Sequence, residues 1–280
     1  MTYKKTLIYM LISTIAFACM NVFVKYLEDF NAFQIVFFRS ISSLIFTFTY
    51  LFKHKISLIG NQRKLMLLRG ILGAFSMSLF FMSMKYLPVA TSVSLRYLAP
   101  IFAAIFATWL LRETIKPMQW VFFSLAFLGV VILKGFDNQM NSIGLTLILV
   151  AAILTGLVYI TIGKIGKNDH PVVVVNYFMI IATLVGGFFM IPYWITPKGW
   201  DWLLLLSLGV FGYYGQVYMT KAFQSGTISQ VAPLKYLEVI FTLLFGVLWF
   251  HEVYTLWSLL GMSLIIGALL LNNIYKSNQS

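Results

Sequence analysis

Few side chains in this sequence can do chemistry, and several of them cluster around position 238. Lys235, Tyr236 and Glu238 interrupt an otherwise apolar stretch, with Thr242 one helical turn beyond the acid. Charges inside an apolar run are costly to bury and mark either a site or an internal partnership. Lys235 and Glu238 are three apart, so on a helix they share a face and partly neutralise each other. A structural pair near a helix end, with Lys235 snorkelling to the interface, satisfies the same spacing. Glu238 is the one carboxylate expected deep within an apolar run, which makes it the candidate to hold a coupling proton or cation. Arg96 and Tyr97 repeat the motif earlier in the chain. Two cations and one carboxylate around one cavity would suit an anionic or zwitterionic solute. The alternative is an Arg96–Glu238 strut.

Other polar positions are weaker candidates. Gln216 and Tyr218, near Tyr213 and Tyr214, offer hydrogen bonding and stacking to a planar solute, while Gly209, Gly212 and Gly215 permit close helix approach without any solute. Asn21, Thr155, Tyr159 and Asn176 suit interhelical hydrogen bonds, and of these Asn21 and Tyr159 join the candidate binding set. Arg39 is expected to play a structural part, pairing with loop acids or carbonyls. No catalytic constellation stands out. His54, His170 and His251 fall at loops or run ends without metal-ligand spacing. Cys19, the single cysteine, excludes an internal disulfide framework. No phosphate-cradling loop or nucleophile elbow is present. No metal, cofactor or enzymatic step is expected.

These residues need a scaffold that lives in lipid. The chain is 60% hydrophobic and only 10% charged, too few charges to cover a water-facing surface. The net charge of +12 is read as basic loops beside a bilayer, not as a nucleic-acid surface. Apolar runs near the roughly 20 residues needed for a crossing fall at 7–26, 33–52, 66–85, 90–111, 117–134, 143–163, 172–193, 202–221, 230–250 and 256–274. The first of these, after Met1–Lys5, is read as a retained helix and not a cleaved leader. With the N-terminus in the cytoplasm, thirteen of the 20 Lys and Arg residues, Arg69 among them, lie on the cytoplasmic side and four outside. That bias predicts both termini in the cytoplasm.

The chain also echoes itself 139 positions later. Lys25 falls on Lys164, Gly70 on Gly209, Gly73 on Gly212 and Glu113 on Glu252, and Leu95–Phe102 aligns with Leu234–Phe241. A duplicated unit with five crossings must insert its copies in opposite orientations. The expected fold is an all-α polytopic membrane protein of ten transmembrane helices, built as two inverted five-helix repeats over 1–139 and 140–280. Such an arrangement places a secondary transporter's site where the halves meet.

The ends of the fourth and ninth runs add a family resemblance. Ala99-Pro100 with Glu113 and Leu128–Leu133, and Phe250-His251-Glu252 with Leu260-Gly261 and Ile266–Ala268, resemble the drug/metabolite transporter superfamily, in particular its EamA-type members, across nearly the whole chain. Tyr236-Leu237-Glu238 with Phe37-Phe38-Arg39 is similar to the branch of S-adenosylmethionine and riboflavin uptake carriers, although Val239 stands where the first half has Pro100. The resemblance implies alternating access around a cavity lined mainly by spans one, three, four, six, eight and nine. It implies binding by Tyr97, Tyr236 and Glu238, then Arg96 and Lys235, with Glu113 and Glu252 capping helices or bracing loops. The expected function is secondary transport of a small organic metabolite in a bacterial inner membrane, with lipid and solute as partners and a homodimer left open. Export of amphipathic compounds or amino acids stays open beside it. From another class, a lipid-acting membrane enzyme or a non-transporting membrane protein remains the rival.

Overall fold

The computed structural model describes residues 3–110, 116–136, 141–225 and 237–277, and the regular structure of those residues is entirely helical. The first half holds α1 (Tyr3–Tyr26), α2 (Ala32–Lys53), α3 (Arg63–Ser83), α4 (Val89–Arg96), α5 (Ala99–Leu110) and α6 (Pro117–Phe136). The second holds α7 (Ser142–Ile165), α8 (Pro171–Met190), α9 (Asp201–Ser225), α10 (Leu237–Phe250) and α11 (Leu256–Ser277). Seven helical segments are long and apolar enough to cross a membrane, α4 and α5 together forming one of them. Three shorter apolar stretches, Pro117–Ile132, Ile240–Phe250 and Leu256–Asn272, accompany them among the described residues.

Helix starts follow local chemistry. Asn31 caps α2 by accepting from Phe33 N at 2.9 Å, and Asn141 caps α7 by accepting from Ile143 N at 2.8 Å. His170 caps α8 through Nδ1, accepting from Val172 N at 3.3 Å, and Pro171 takes the first helical position. Burial, and then the charges of Lys221 and His54, hold the His170 imidazole below its ordinary pKa. That favours the neutral ring, in which one nitrogen is left without a proton and can accept. The carboxylate of Asp169 receives Asn61 N at 2.6 Å and Gln62 N at 3.1 Å just ahead of α3.

The fourth expected span is not one straight helix. α4 stops at Arg96 and α5 begins at Ala99. Pro100 has no N–H to return to the Arg96 carbonyl, so the ladder cannot continue through this point. The chain turns at Tyr97 and Leu98, whose N–H groups bond to Ser94 O at 3.1 Å and Leu95 O at 3.0 Å.

The sequence echo reappears as geometry. Ser142–Ile165 is Tyr3–Tyr26 displaced by 139, and α2, α3, α5 and α6 fall on α8, α9, α10 and α11 to within a few residues. Helix contacts come in matching sets: α1 packs on α9 as α3 does on α7, α2 on α9 as α3 on α8, and α1 on α10 as α5 on α7. The pairs α2–α8 and α6–α11 map onto themselves. The repeated glycines sit in these mirrored contacts. A Cβ on Gly70 would meet Ile181 and one on Gly209 would meet Ser42; one on Gly73 would meet Phe178 and one on Gly212 would meet Arg39. Positions 181 and 42, like 178 and 39, are themselves 139 apart, so each glycine accepts a side chain from the equivalent place on the opposite helix.

Several hydroxyls in the helices close bonds to carbonyls of other helices, which suits a low-dielectric setting. Ser13 donates to Gly215 O and Ser76 to Ala151 O, each at 2.8 Å, and Ser43 donates to Gly209 O at 2.9 Å. Apolar side chains dominate the outside, among them Trp109, Phe188, Leu203 and Leu248. Such a surface is stable against lipid and not against water.

Candidate functional site

Glu238 opens the first turn of α10 and is fully buried. Its carboxylate collects donors from two other helices and from the break between α4 and α5. Asn21 Nδ2 on α1 donates to Oε1 at 3.1 Å, Arg96 Nη2 to Oε1 at 2.9 Å, and the Tyr97 hydroxyl to Oε2 at 2.9 Å. Arg96 also lays its guanidinium over the Phe80 ring, 3.8 Å from the centroid. The Glu238 carbonyl receives Thr242 Oγ1 at 2.8 Å. A buried carboxylate with this many donors is fully compensated, and it ties α10 of the second half to α1 and α4 of the first.

Beside this cluster lies a central, partly open cavity of about 100 Å³. α1 contributes Phe17 and Met20, α3 a face from Arg69 to Phe81, and α4 contributes Arg96; Thr155 and Tyr159 come from α7 and Gln216 and Met219 from α9. α2 and α8 also reach it, through Arg39 and Phe178. The family resemblance implied no main part for those two helices. Their side chains enter because 39 and 178 are equivalent positions that meet where α2 crosses α8.

Arg39 differs from expectation. Among the described residues it meets neither a loop acid nor a carbonyl. Its Nε lies 3.1 Å from Met20 Sδ and its Nη1 2.7 Å from Met77 Sδ, with Cζ 5.9 Å from the centre of the Phe178 ring. Arg39 is placed at the cavity because it stands well inside α2, out of reach of the loops. Arg69, counted above among the flanking cations, is 3% exposed and lines the same cavity. Its Cζ stacks 4.1 Å from the Phe178 centroid and its Nη2 reaches Gln216 Oε1 at 3.5 Å. The signal was present: Arg69 already falls inside the apolar run 66–85.

The structure therefore brings Asn21, Arg96, Tyr97 and Glu238 into one cluster and puts Tyr159 and Gln216 on the cavity wall beside it. Tyr218 is elsewhere, in an aromatic group with Tyr9 at 5.6 Å and Tyr214 at 6.2 Å, under Lys221. Lys235 and Tyr236, and with them the expected Lys235–Glu238 pairing, lie outside the described residues, as does Glu113. Glu252 behaves as a brace: its Oε1 receives Val89 N, at the start of α4, at 3.2 Å, and its other oxygen receives the Tyr254 hydroxyl. Burial and the neighbouring Glu252 charge push the Tyr254 phenol well upward, which keeps the proton on the donor.

A cavity walled by equivalent helices of two halves, with buried charges, is a candidate binding chamber within a bundle. Comparison with known proteins identifies the kind of bundle. The model of the EamA-like transporter family matches this chain twice, over residues 4–134 and 142–274. The chain belongs to the EamA-like transporter family. It is a multi-pass membrane transporter of the drug/metabolite transporter superfamily, and its two family matches coincide with the two sets of mirrored helices. The chain is 28% identical to an S-adenosylmethionine uptake transporter of Rickettsia prowazekii, covering 100% of this chain and 95% of the relative. It is 26% identical to the pseudopaline exporter CntI of Pseudomonas aeruginosa strain UCBPP-PA14, over 95% of this chain and 94% of the relative. It is also 26% identical to human solute carrier family 35 member G1, over 94% of this chain and 77% of the relative. A solved crystal structure superimposes with a TM-score of 0.67 at 16% identity, covering 96% of this chain and 99% of that one, which supports the fold.

Proposed function

We propose that this EamA-family transporter is a secondary active carrier of a small organic metabolite, working by alternating access around the central cavity. In this reading the chain crosses the bacterial inner membrane ten times. Residues 1–139 and 140–280 are oppositely oriented repeats, and both termini face the cytoplasm. One observation carries the proposal: a cavity lined by equivalent helices of both halves, with buried charged side chains in and beside its wall. Matching helix lengths at a fixed offset, seven spanning segments and three shorter apolar ones support the crossing number.

The geometry suggests how the halves are coupled. Glu238 belongs to the second repeat, whereas its donors Asn21, Arg96 and Tyr97 belong to the first. Rocking of one repeat against the other must lengthen these bonds on one stroke and remake them on the return. Glu238 is the candidate coupling group, since the donors it loses must be replaced by solute, water or a proton. The discontinuity between α4 and α5 puts Arg96 and Tyr97 on the segment best able to pivot. The named relatives include an uptake transporter and an exporter, and in this reading direction follows the imposed gradient.

The test is reconstitution of the purified chain in liposomes. Metabolites that raise its thermal midpoint are assayed for counterflow, with and without a pH gradient. The wild type is expected to exchange at least one of them, and Glu238→Gln to flatten the pH dependence of that exchange. A chain that moves none of its binding solutes overturns the carrier reading; unchanged pH dependence in the Gln variant removes Glu238 from coupling.

A further inference from the structure

Arg39 and Arg69 are less well compensated than the Arg96–Glu238 pair beside them. They are 1% and 3% exposed, and among the described residues no carboxylate lies within ion-pair distance of either. Arg69 is the sharper case. Its Nε and Nη1 are buried without a hydrogen-bond partner among the described residues, and its bond to Gln216, at 3.5 Å, is at the outer limit of such contacts. Arg39 directs its donors at the Met20 and Met77 thioethers, which are weak acceptors. The Phe178 face stabilises both cations through its quadrupole, yet a ring offers no lone pair for the remaining N–H groups. A guanidinium withdrawn from water without a counter-charge is costly, and in a membrane bundle it faces a cavity or a partner.

Space is kept beside both groups. A Cβ on Gly73 would sit 3.4 Å from Arg69 Nη1, and one on Gly212 would sit 3.1 Å from Arg39 Nε. These are the glycines that pair across the repeat. The arginine side chains and the cavity beside them thus share one wall, with Phe178 between the two helices that supply the cations. Glu238 does not serve them: it forms an ion pair with Arg96 and with neither Arg39 nor Arg69, and its other donors are Asn21 and Tyr97.

We propose that Arg39 and Arg69 form an oxyanion subsite of the central cavity, one that takes the carboxylate or phosphate group of an organic solute. This rests on the carrier reading and narrows its solute to an organic anion. Planar guanidinium forks match the two oxygens of a carboxylate or phosphate, and the resulting bonds are charge-assisted. Phe178 holds the two cations against its ring, and Gln216 on the same wall adds a neutral polar contact. Binding supplies the missing counter-charge, so the empty protein is the less stable form.

The experiment measures the thermal midpoint of the detergent-purified full chain against inorganic phosphate and against glutarate, with chloride holding the ionic strength constant. Wild type is expected to rise by about 2 °C or more with at least one of the two. Which anion acts separates phosphate from carboxylate recognition. Arg69→Met is expected to melt higher than wild type when empty, because it removes an uncompensated charge, and to lose the anion response. Arg69→Lys and Arg39→Lys keep a charge but lose the fork, and should retain a reduced response.

An unshifted wild type, or an Arg69→Met variant that responds fully, overturns the proposal. Should Arg69→Met fail to fold, the two lysine variants decide: an undiminished response overturns the subsite and a reduced one supports it. A response to phosphatidylglycerol alone, with none to the free anions, assigns the charges to lipid and also overturns it. The same samples in liposomes separate the two levels of inference. Counterflow without an anion response sinks only the subsite, whereas an anion response without any counterflow sinks the carrier reading.

Discussion

Arg96 and Arg69 come from the same half of the chain, line the same cavity and each lie over a phenylalanine ring, Phe80 and Phe178. Their electrostatic situations differ. Arg96 meets Glu238 at 2.9 Å within a set of donors that closes around the carboxylate. Arg69 meets a glutamine amide at the edge of hydrogen-bond range and has two buried nitrogens without partners among the described residues. One region pairs its charges in a joint between the two repeats; the other carries charge that no carboxylate among the described residues balances. In a low-dielectric setting a balanced pair holds structure together, while an unbalanced cation waits for a ligand.

The comparison can be broken most directly at Glu238. Glu238→Ala leaves Arg96 without its carboxylate, and a loss of about 3–5 kcal/mol in stability is expected. Adding Arg96→Ala should then cost less than it does in the wild type, with a coupling of about 0.5–3 kcal/mol in a double-mutant cycle read by thermal or denaturant unfolding. Strict additivity would mean that the pair is no joint. Arg69→Met should move stability in the opposite direction. If both cations destabilise on removal by similar amounts, the contrast drawn here disappears.

A finer cut removes a single donor. Tyr97→Phe keeps the ring and withdraws the hydroxyl from Glu238 Oε2, which should cost about 1–2 kcal/mol in the same unfolding measurement. Anion response at Arg39 and Arg69 should be untouched, since that hydroxyl serves the paired joint. The smallest effect is expected at the packing that shapes the cationic side. Gly212→Ala crowds Arg39 Nε and Ser43 Oγ, both 3.1 Å from the new methyl, and should cost about 1 kcal/mol while weakening the anion response. Gly163→Ala, with nothing within 4 Å of its Cβ, is the matched control and should be neutral or slightly stabilising. An equal loss at both positions would detach the glycines from the site.

Much of this arrangement is legible along the chain. Apolar runs marked the helices because burying polar backbone in lipid forces hydrogen bonding within each segment. The offset of 139 predicted which helices are equivalent. Asn21, Arg96, Tyr97 and Glu238 stood out because polar groups in apolar runs need partners. Arg69 was harder to read. Near the end of a run, an arginine that snorkels to the interface and one that turns into the bundle leave the same pattern. Arg39 was placed in the right helix, but among the described residues its neighbours are thioethers and a ring face, which carry no charge signal in a sequence. The break after Arg96 was foreshadowed by Pro100, yet a window of hydropathy runs smoothly across it.

The sequence by itself determined the helical class, the duplication and the short list of buried ionisable groups, since these depend on transfer energies and periodicity that are local to the chain. Which cation meets Glu238 and which is left facing the cavity was decided only by tertiary structure. Arg96 and Glu238 are 142 positions apart, and Arg69 is no worse placed in sequence to reach the acid. Helix crossing angles and the depth of each residue at the crossing select between them, and neither is written in the order of the amino acids.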